Sequence, residues 1–441
     1  MNHLYIYLAI YILILAGVSY IVSRKESAEG FLIADRGRGS WIIALSKFAG
    51  SVGASYLVAY TAYAFEYGIG VYSAVFGMLV GYLIFAFWAA PKINEAAHES
   101  KFYTQGDLVY FKTKNSFTKS IANMGSIIVT FMWLMVGVVG GAKLISHIGL
   151  TSYEIAVIIT AVVIMAYLLL AGFRAVLATD AIQSAIILIL TFVLAVVVLS
   201  DASLTSVLSA DTKVMDFEMI AGFFLFGVLG VYGGSSWYQL CYSGKNKNAV
   251  KNGIAGAIIP IIVMTSILLF LGMYIFLQNP ELDPALVFLE LIQFHLPESM
   301  IPLGIVLFFA AIMSSADTNV YAISSHYVLN KQNTAPVQEI KKTIIILTVI
   351  SIVIAYFFRD VVDITIIAAA SVLTFSVPMI YIIFEGVHKS PYRFIGSFVC
   401  GIIGMMVGIG IWGIEPNIAL TVLVGGLLGL LYNRKNPQNF S

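Results

Sequence analysis

Long apolar runs, separated by short polar stretches, recur along the whole chain. Each run is about 20 residues long, the length that a helix rising about 1.5 Å per residue needs to cross about 30 Å of hydrocarbon. Clusters of proline, glycine and charged residues separate the runs, as at 91–95 and 244–247. The pattern predicts an all-α, polytopic membrane protein that lies in a lipid bilayer. Its thirteen expected transmembrane helices are 4–23, 40–65, 69–91, 119–147, 152–171, 175–200, 217–242, 252–278, 299–328, 342–358, 361–385, 392–413 and 417–433.

The first run has neither a basic segment before it nor a small-residue cleavage site after it, where Arg24 and Lys25 follow. A secretory signal peptide would carry both features. We therefore expect a retained leading helix, which forms the segment 1–39 together with a cytoplasmic loop.

Lysine and arginine fall almost entirely on one side of the predicted spans. With the N-terminus outside, the exceptions are Lys143, Lys213 and Arg359 at outer ends, and Lys47 inside a span near its inner end. The outer loops are acidic instead. This asymmetry is the one that the positive-inside rule describes. It predicts a multi-pass protein of the cell (inner) membrane, with its N-terminus outside and its C-terminus in the cytoplasm.

The same orientation divides the central helices into two sets of five. The spans of 40–200 start inside and those of 201–387 start outside, which is the arrangement of an inverted repeat in secondary transporters. Two trailing helices and a short cytoplasmic tail are expected at 388–441. Glycines at 401, 404 and 408, and again at 425, 426 and 429, predict a tightly packed seam between the trailing helices.

Composition narrows the class of protein. Charged residues make up 11% of the chain, against about 25% in soluble domains. A formal net charge of +1 indicates no basic patch, so we expect no nucleic-acid partner. The spans hold no phosphate-binding G-x-x-x-x-G-K-[ST] loop and no Ser/His or metal-ligand constellation. We therefore expect a transporter driven by an ion gradient or by its own solute, and not an enzyme.

Two carboxylates lie at similar predicted depth in the membrane, Asp180 near the start of the sixth span and Asp317 in the inner half of the ninth. An ionisable group costs about 2.5–3.5 kcal/mol on insertion scales, so each needs a reason to be there. Together they would offer hard oxygen ligands to a small cation. Alternatively, Asp180 pairs with Arg174 near the inner interface, and Asp317 is a protonated or hydrogen-bonded packing residue.

The second span opens with small residues, including Gly50 and Gly53 within 49–60. Such a segment allows the helix to break and frees carbonyls to bind a cation, although small residues also serve close helix packing.

Four tyrosines follow at spacings of 4, 3 and 4, namely Tyr56, Tyr60, Tyr63 and Tyr67. This spacing places four phenols on one helix face. The face is either a solute vestibule or a packing surface with an interfacial aromatic belt.

At these positions the chain resembles the sodium:solute symporter family over roughly 30–410. The best-matched stretches are 31–36 (FLIADR), 172–183, 243–245 with Ala249, and 311–317 (AIMSSAD). The resemblance implies a LeuT-type 5+5 inverted-repeat fold with one leading and two trailing helices.

The resemblance also implies the ion sites. The main sodium site would use the carbonyls of Ala54, Leu57 and Ala311 and the hydroxyls of Ser314 and Ser315. A second cation site would use Asp180, Asp317 and Thr318. Sodium is then the co-transported ion.

The substrate region departs from the family pattern, because Tyr56 stands where the sodium/proline members have an aspartate. An aromatic, weakly charged pocket with Tyr56, Tyr60, Tyr63 and Tyr232 suits a small amphipathic or zwitterionic solute, such as an amino-acid-like compound or an organic acid.

We therefore expect a monomeric, sodium-coupled symporter that works by alternating access. One alternative is proton coupling through Asp180 and Asp317. Another is a transporter-like sensor, although such sensors usually carry a cytosolic signalling module and the tail 434–441 is short.

Overall fold

A computed structural model describes residues 36–170, 173–306, 337–384 and 388–432, with single positions between 6 and 17, between 308 and 327, and at 386. Within these ranges, side chains are described except at 49, 54, 55, 167, 168, 170, 173–182 and 184. The predicted leading helix therefore falls largely outside the described residues, as do Ser314, Ser315, Asp317 and Thr318.

The described chain is helical, and none of its residues belongs to a β-strand. The α-helices are α1 Ser40–Ser51, α2 Ala54–Tyr67, α3 Tyr72–Ile84, α4 Ala90–Ser100, α5 Gln105–Thr113, α6 Ser116–His147, α7 Tyr153–Leu170, α8 Phe173–Asp201, α9 Leu204–Leu208, α10 Phe217–Gly233, α11 Ser235–Ser243, α12 Lys247–Gln278, α13 Val287–His295, α14 Val337–Phe357, α15 Val361–Ile383, α16 Pro391–Trp412 and α17 Ile418–Gly429. A π-helical turn at Phe85–Ala89 joins α3 to α4, and short 3-10 turns occupy Gly68–Val71 and Pro284–Leu286.

Several of these helices are long and apolar enough to cross a membrane. They are Tyr56–Ser100, Ser116–His147, Lys247–Gln278, Gln338–Phe357, Val361–Ile383 and Pro391–Trp412, and the bent pair α10 and α11 makes a seventh. The prediction of an all-α, multi-pass membrane protein is confirmed. The count of thirteen spans, the inverted repeat and the boundaries 1–39, 40–200, 201–387 and 388–441 remain predictions.

The second predicted span, 40–65, is broken as its small residues indicate. The first half, α1, ends at Ser51, and α2 begins at Ala54 after Val52 and the extended residue Gly53.

A second break, not anticipated from the sequence, lies within the predicted span 217–242. The helix α10 ends at Gly233 and α11 begins at Ser235, with a bend of 44° between their axes. Gly234 is extended, with φ −76° and ψ 122°. The apolar run continues through this bend, so hydropathy alone does not reveal it, whereas the Gly-Gly pair lowers the helix propensity locally.

A third difference concerns 91–95, which we expected to separate two spans. The helix α4 continues through it, and Asn94 is buried, donating its amide to the carbonyls of Cys241 at 2.8 Å and Gly244 at 3.0 Å. The polar residue is thus bound inside the protein and does not mark a loop.

Glycines allow neighbouring helices to pack closely against each other. The predicted seam between the trailing helices is confirmed, since a Cβ on Gly404 would collide with the carbonyl oxygen of Thr421, and one on Gly425 with that of Cys400. A second seam joins α3 and α10, where a Cβ on Gly227 would collide with the carbonyl oxygen of Ala74.

This second seam yields a stability test. Substitution Gly227→Ala should lower the thermal unfolding midpoint of the purified protein, because overpacking a close backbone contact costs about 1–3 kcal/mol. Gly230→Ala on the same helix is the matched control, since no atom lies within 4 Å of its added Cβ. Equal midpoints for the two variants would contradict the close approach of α3 and α10.

Candidate functional site

A cavity of about 210 Å³ lies between the two helix breaks. Gly50 and Ser51, at the end of α1, line it on one side, and Gly234, Ser235 and Ser236, at the start of α11, line it on another. In transporters, interrupted helices supply free backbone groups to a substrate or ion at this kind of position. The cavity is therefore the candidate binding site.

Phenol rings form one wall of the cavity. Tyr56, Tyr60 and Tyr63 all line it. Their rings contact each other in sequence, with centroids 4.3 Å apart for the first pair and 6.1 Å apart for the second. The spacing of 4 and 3 thus places these three residues on one face, as predicted. Their role in binding a solute stays a prediction.

The fourth phenol of the series has a different environment. Tyr67 donates a hydrogen bond to Glu415 Oε2 at 2.8 Å and packs against Phe223. Lys213 forms a salt bridge with the same Glu415 at 2.7 Å. At the C-terminal end of α2, the tyrosine face therefore becomes a packing and ion-pair contact, which was the alternative interpretation of the series.

Tyr232 does not appear among the residues that line the cavity. Its ring packs against Phe85 at a centroid distance of 5.6 Å, and its carbonyl accepts a hydrogen bond from the Tyr238 hydroxyl at 2.7 Å. It lies in the last turn of α10, where Gly230 and Val231 line the cavity instead. The bend at Gly234 determines which side of this turn faces the cavity, and the sequence alone does not indicate that side.

Other aromatic residues of the wall were missed from the sequence. Trp237 follows the second break and lines the cavity together with Tyr82 and Trp133. The rings of Tyr82 and Trp237 meet edge to face, with centroids 4.7 Å apart. The only sequence signal for Trp237 is its position just after the Gly-Gly-Ser-Ser stretch, which we expected to be ordinary helix.

Two hydroxyl groups of the cavity belong to a row of buried polar side chains. The Thr130 and Ser235 hydroxyls, both lining the cavity, are 3.1 Å apart. Behind them the hydroxyl of Ser126 donates to Gln105, whose amide donates to the carbonyl of Gly233 at 3.4 Å. This row satisfies backbone and side-chain groups at the second break, and it ties α11 to α5 and α6.

The half-helices α1 and α11 contact each other beside the cavity. The Lys47 ammonium lies over the Trp237 ring, 3.6 Å from its centroid. At the ends of the same helices, the N–H of Arg38 donates to the Ser243 carbonyl at 3.0 Å, and the N–H of Lys245 donates back to the Arg38 carbonyl at 3.0 Å. The two broken helices are therefore joined by side-chain and backbone contacts.

The expected sodium ligands are only partly described. Ala54 is the first residue of α2, directly after the first break. The carbonyl of Leu57 accepts a hydrogen bond from the Thr61 hydroxyl at 2.7 Å, and Ala311 is helical and fully buried. Ser314 and Ser315 lie outside the described residues, so the main site stays a prediction.

The second expected cation site also stays a prediction. Asp180 lies in α8, but its side chain is not described, and Asp317 and Thr318 lie outside the described residues. In the part of the chain that the structure describes, no group of three or more His, Cys, Asp or Glu residues is arranged to hold a metal ion.

The cavity yields its own test. Gly230 lines it, and no atom lies within 4 Å of a Cβ added at this glycine. Gly230→Leu should therefore fill the cavity and abolish solute binding and uptake, with little loss of thermal stability. Gly410→Leu, at a glycine of α16 that also has open space, should leave both unchanged. Normal uptake by the Gly230→Leu variant would show that the solute binds elsewhere.

Comparison with known proteins gives a family and a fold. The sequence profile of the sodium:solute symporter family matches residues 31–404. Among curated proteins, the sodium/pantothenate symporter of Haemophilus influenzae is 24% identical over 277 residues, and that of Escherichia coli K12 is 25% identical over 277 residues. Each match covers 58% of this chain and spans 57% of the relative's own length.

Solved structures match over more of the chain. A substrate-bound, outward-open sodium-coupled sialic acid symporter is similar with a TM-score of 0.76 and 12% identity, covering 98% of both chains. Mhp1, a nucleobase-cation-symport-1 family transporter in a closed conformation, is similar with a TM-score of 0.62 and 13% identity, over 90% of this chain and 92% of that one. At such low identity these likenesses show a shared fold.

Proposed function

This chain belongs to the sodium:solute symporter family, and from that premise we propose that it couples the entry of sodium to the uptake of a small organic solute. Membership makes it a secondary active transporter and not an enzyme. The observation that carries the proposal is the cavity between the two helix breaks, since broken helices at a central cavity are the binding device of such transporters.

The main sodium site of the proposal uses the carbonyls of Ala54, Leu57 and Ala311 and the hydroxyls of Ser314 and Ser315. Two positions in the structure support this site. Ala54 and Leu57 belong to the first turn after the first break, and Ser51, just before that break, lines the cavity. Farther along the chain, Asn319 and Ala322, which follow the two serines, also line the cavity.

Coupling requires that sodium bind the two access states with different affinity. We infer that sodium at Ala54 and Leu57 favours the outward-open state by ordering the start of α2. Solute binding at the tyrosine wall then favours closure of the cavity. The half-helices α1 and α11, joined through Lys47 and Trp237, are the elements that we expect to separate when the cavity opens to the cytoplasm.

The solute is proposed to be small and amphipathic, zwitterionic or acidic. The cavity volume and the aromatic wall support this size and character. Pantothenate and sialic acid, the solutes named for the relatives, are organic acids. We further propose a monomer in the cell (inner) membrane, with its N-terminus outside and its C-terminus in the cytoplasm.

Proton coupling is the second candidate function. It rests on Asp180 and Asp317, because a pair of carboxylates in the membrane serves either a second sodium ion, together with Thr318, or a proton relay. Uptake driven by a pH gradient in sodium-free buffer would favour protons. A transporter-like sensor would instead bind its solute with sodium and move none across proteoliposomes.

The sodium site can be tested without knowing the solute. Ser314→Ala or Ser315→Ala should raise the sodium concentration needed for half-maximal thermal stabilisation by about tenfold or more, since a lost bond to a charged group costs on the order of 1.5–3 kcal/mol. Ser324→Ala is the matched control, because its hydroxyl donates to the Val320 carbonyl of its own helix at 2.8 Å. An unchanged sodium requirement in both serine variants would refute the assignment.

The roles of Asp180 and Asp317 can be tested separately. If they bind a second sodium ion, Asp180→Asn and Asp317→Asn should each lower the sodium Hill coefficient of uptake at constant pH. If they carry a proton instead, the same variants should abolish uptake driven by a pH gradient and leave the sodium requirement unchanged.

A further inference from the structure

A buried ammonium group lies next to the cavity without an anionic partner. The side chain of Lys47 is 4% exposed. Among the residues that the structure describes, the ion pairs involve other lysines and arginines, and no carboxylate lies within ion-pair distance of this one. The ammonium lies over the ring of Trp237, 3.6 Å from its centroid, and the buried thiol of Cys241 also lies in its surroundings.

The contact with Trp237 is too weak to account for the burial. A cation over an indole ring contributes about 2 kcal/mol when desolvated, whereas burying an ion costs several kcal/mol even after the protein relaxes. A buried amine therefore either loses its proton or is compensated by an anionic partner. A ligand anion would supply the missing compensation.

The position of Lys47 in α1 places it beside the cavity. Gly50 and Ser51, three and four residues farther on, lie on the same helix face and line the cavity. Trp237, whose ring lies under the Lys47 ammonium, lines the cavity as well. The lysine is therefore one helical turn from the cavity wall.

The start of α11 favours an anion at the same place. This helix begins after Gly234, so no side chain caps its first N–H groups. Ser235 and Ser236, its first two residues, line the cavity. The first N–H groups of a helix lack intrahelical acceptors, and the helix dipole adds a partial positive charge there.

We propose that the solute carries a carboxylate, and that Lys47 together with the N-terminus of α11 binds this carboxylate at the α1–α11 side of the cavity. The tyrosine wall then receives the apolar part of the solute. The proposal rests on the proposed function, which it narrows from a small organic solute to an organic anion.

The test compares matched pairs of compounds that differ in the carboxylate. Purified full-length protein in sodium is screened by thermal shift with pantothenate and pantothenol, N-acetylneuraminate and its methyl ester, and benzoate and benzamide. At least one carboxylate should stabilise the protein, and its dissociation constant should be about tenfold or more below that of its neutral partner.

Three variants test whether Lys47 causes the preference for the carboxylate over its neutral partner. Lys47→Met keeps the length of the side chain and removes the charge, so the ratio of the two dissociation constants should fall towards one. Lys47→Arg keeps the charge and should retain most of the ratio. Lys143→Met removes a lysine that is paired with Asp283 at 2.6 Å in another part of the protein, and should leave the ratio unchanged.

The ratio of the two dissociation constants is measured within each variant. A general loss of stability would affect both constants and therefore does not produce the expected change in the ratio. If Lys47→Met does not fold, Lys47→Gln serves the same comparison. The proposal is overturned if no carboxylate stabilises the protein, if neutral partners bind as well, or if the charge-removing variant keeps the preference. In that last case Lys47 merely joins α1 to α11.

The same screen separates this proposal from the proposed function. Sodium-dependent stabilisation by neutral compounds alone would leave sodium symport standing and overturn the carboxylate. Stabilisation by carboxylates that is the same with and without sodium would support the carboxylate and count against sodium coupling.

Discussion

The need to hydrogen-bond every backbone group inside lipid is the constraint on which this structure depends. In hydrocarbon, only continuous helices satisfy their own N–H and C=O groups, and irregular backbone is tolerated where it lines a cavity or lies inside protein. The described chain departs from continuous helix at 52–53 and at Gly234, and residues at both departures adjoin the same cavity. The two breaks therefore place irregular backbone next to the cavity, at the kind of position where transporters bind a solute or cation.

Polar contacts help to hold the broken helices in place. Hydrogen bonds from Asn94 and the row that includes Thr130 and Ser235 fix α11, and backbone bonds of Arg38 join the start of α1 to the end of α11. The longer helices are held instead by glycine seams, in which backbones meet directly. A transporter needs this division, because its helices must stay packed while the half-helices at the site change position.

Two lysines of the described chain that the charge asymmetry leaves as exceptions are ion-paired. Lys143 is paired with Asp283 and Lys213 with Glu415. Lys47 differs, since it is buried beside the cavity and its described contact is an aromatic ring. This buried lysine beside the cavity is the basis for the proposed selection of an anionic solute, for which the aromatic wall alone gives no reason.

The membrane class, the helical fold, the first helix break and the glycine seam of the trailing helices all follow from the sequence. Each depends on residues close together in the chain, such as a run of apolar residues, two glycines within four positions or a repeat of small residues at helical spacing. The three tyrosines that line the cavity were predictable for the same reason, because a helix sets the direction of its side chains. The bend at Gly234, the packing of Tyr232 against Phe85, and the meeting of Lys47 with Trp237 required the tertiary structure. These features join residues far apart in the chain, or depend on how a bent helix is turned against its neighbours, and no local pattern encodes that geometry.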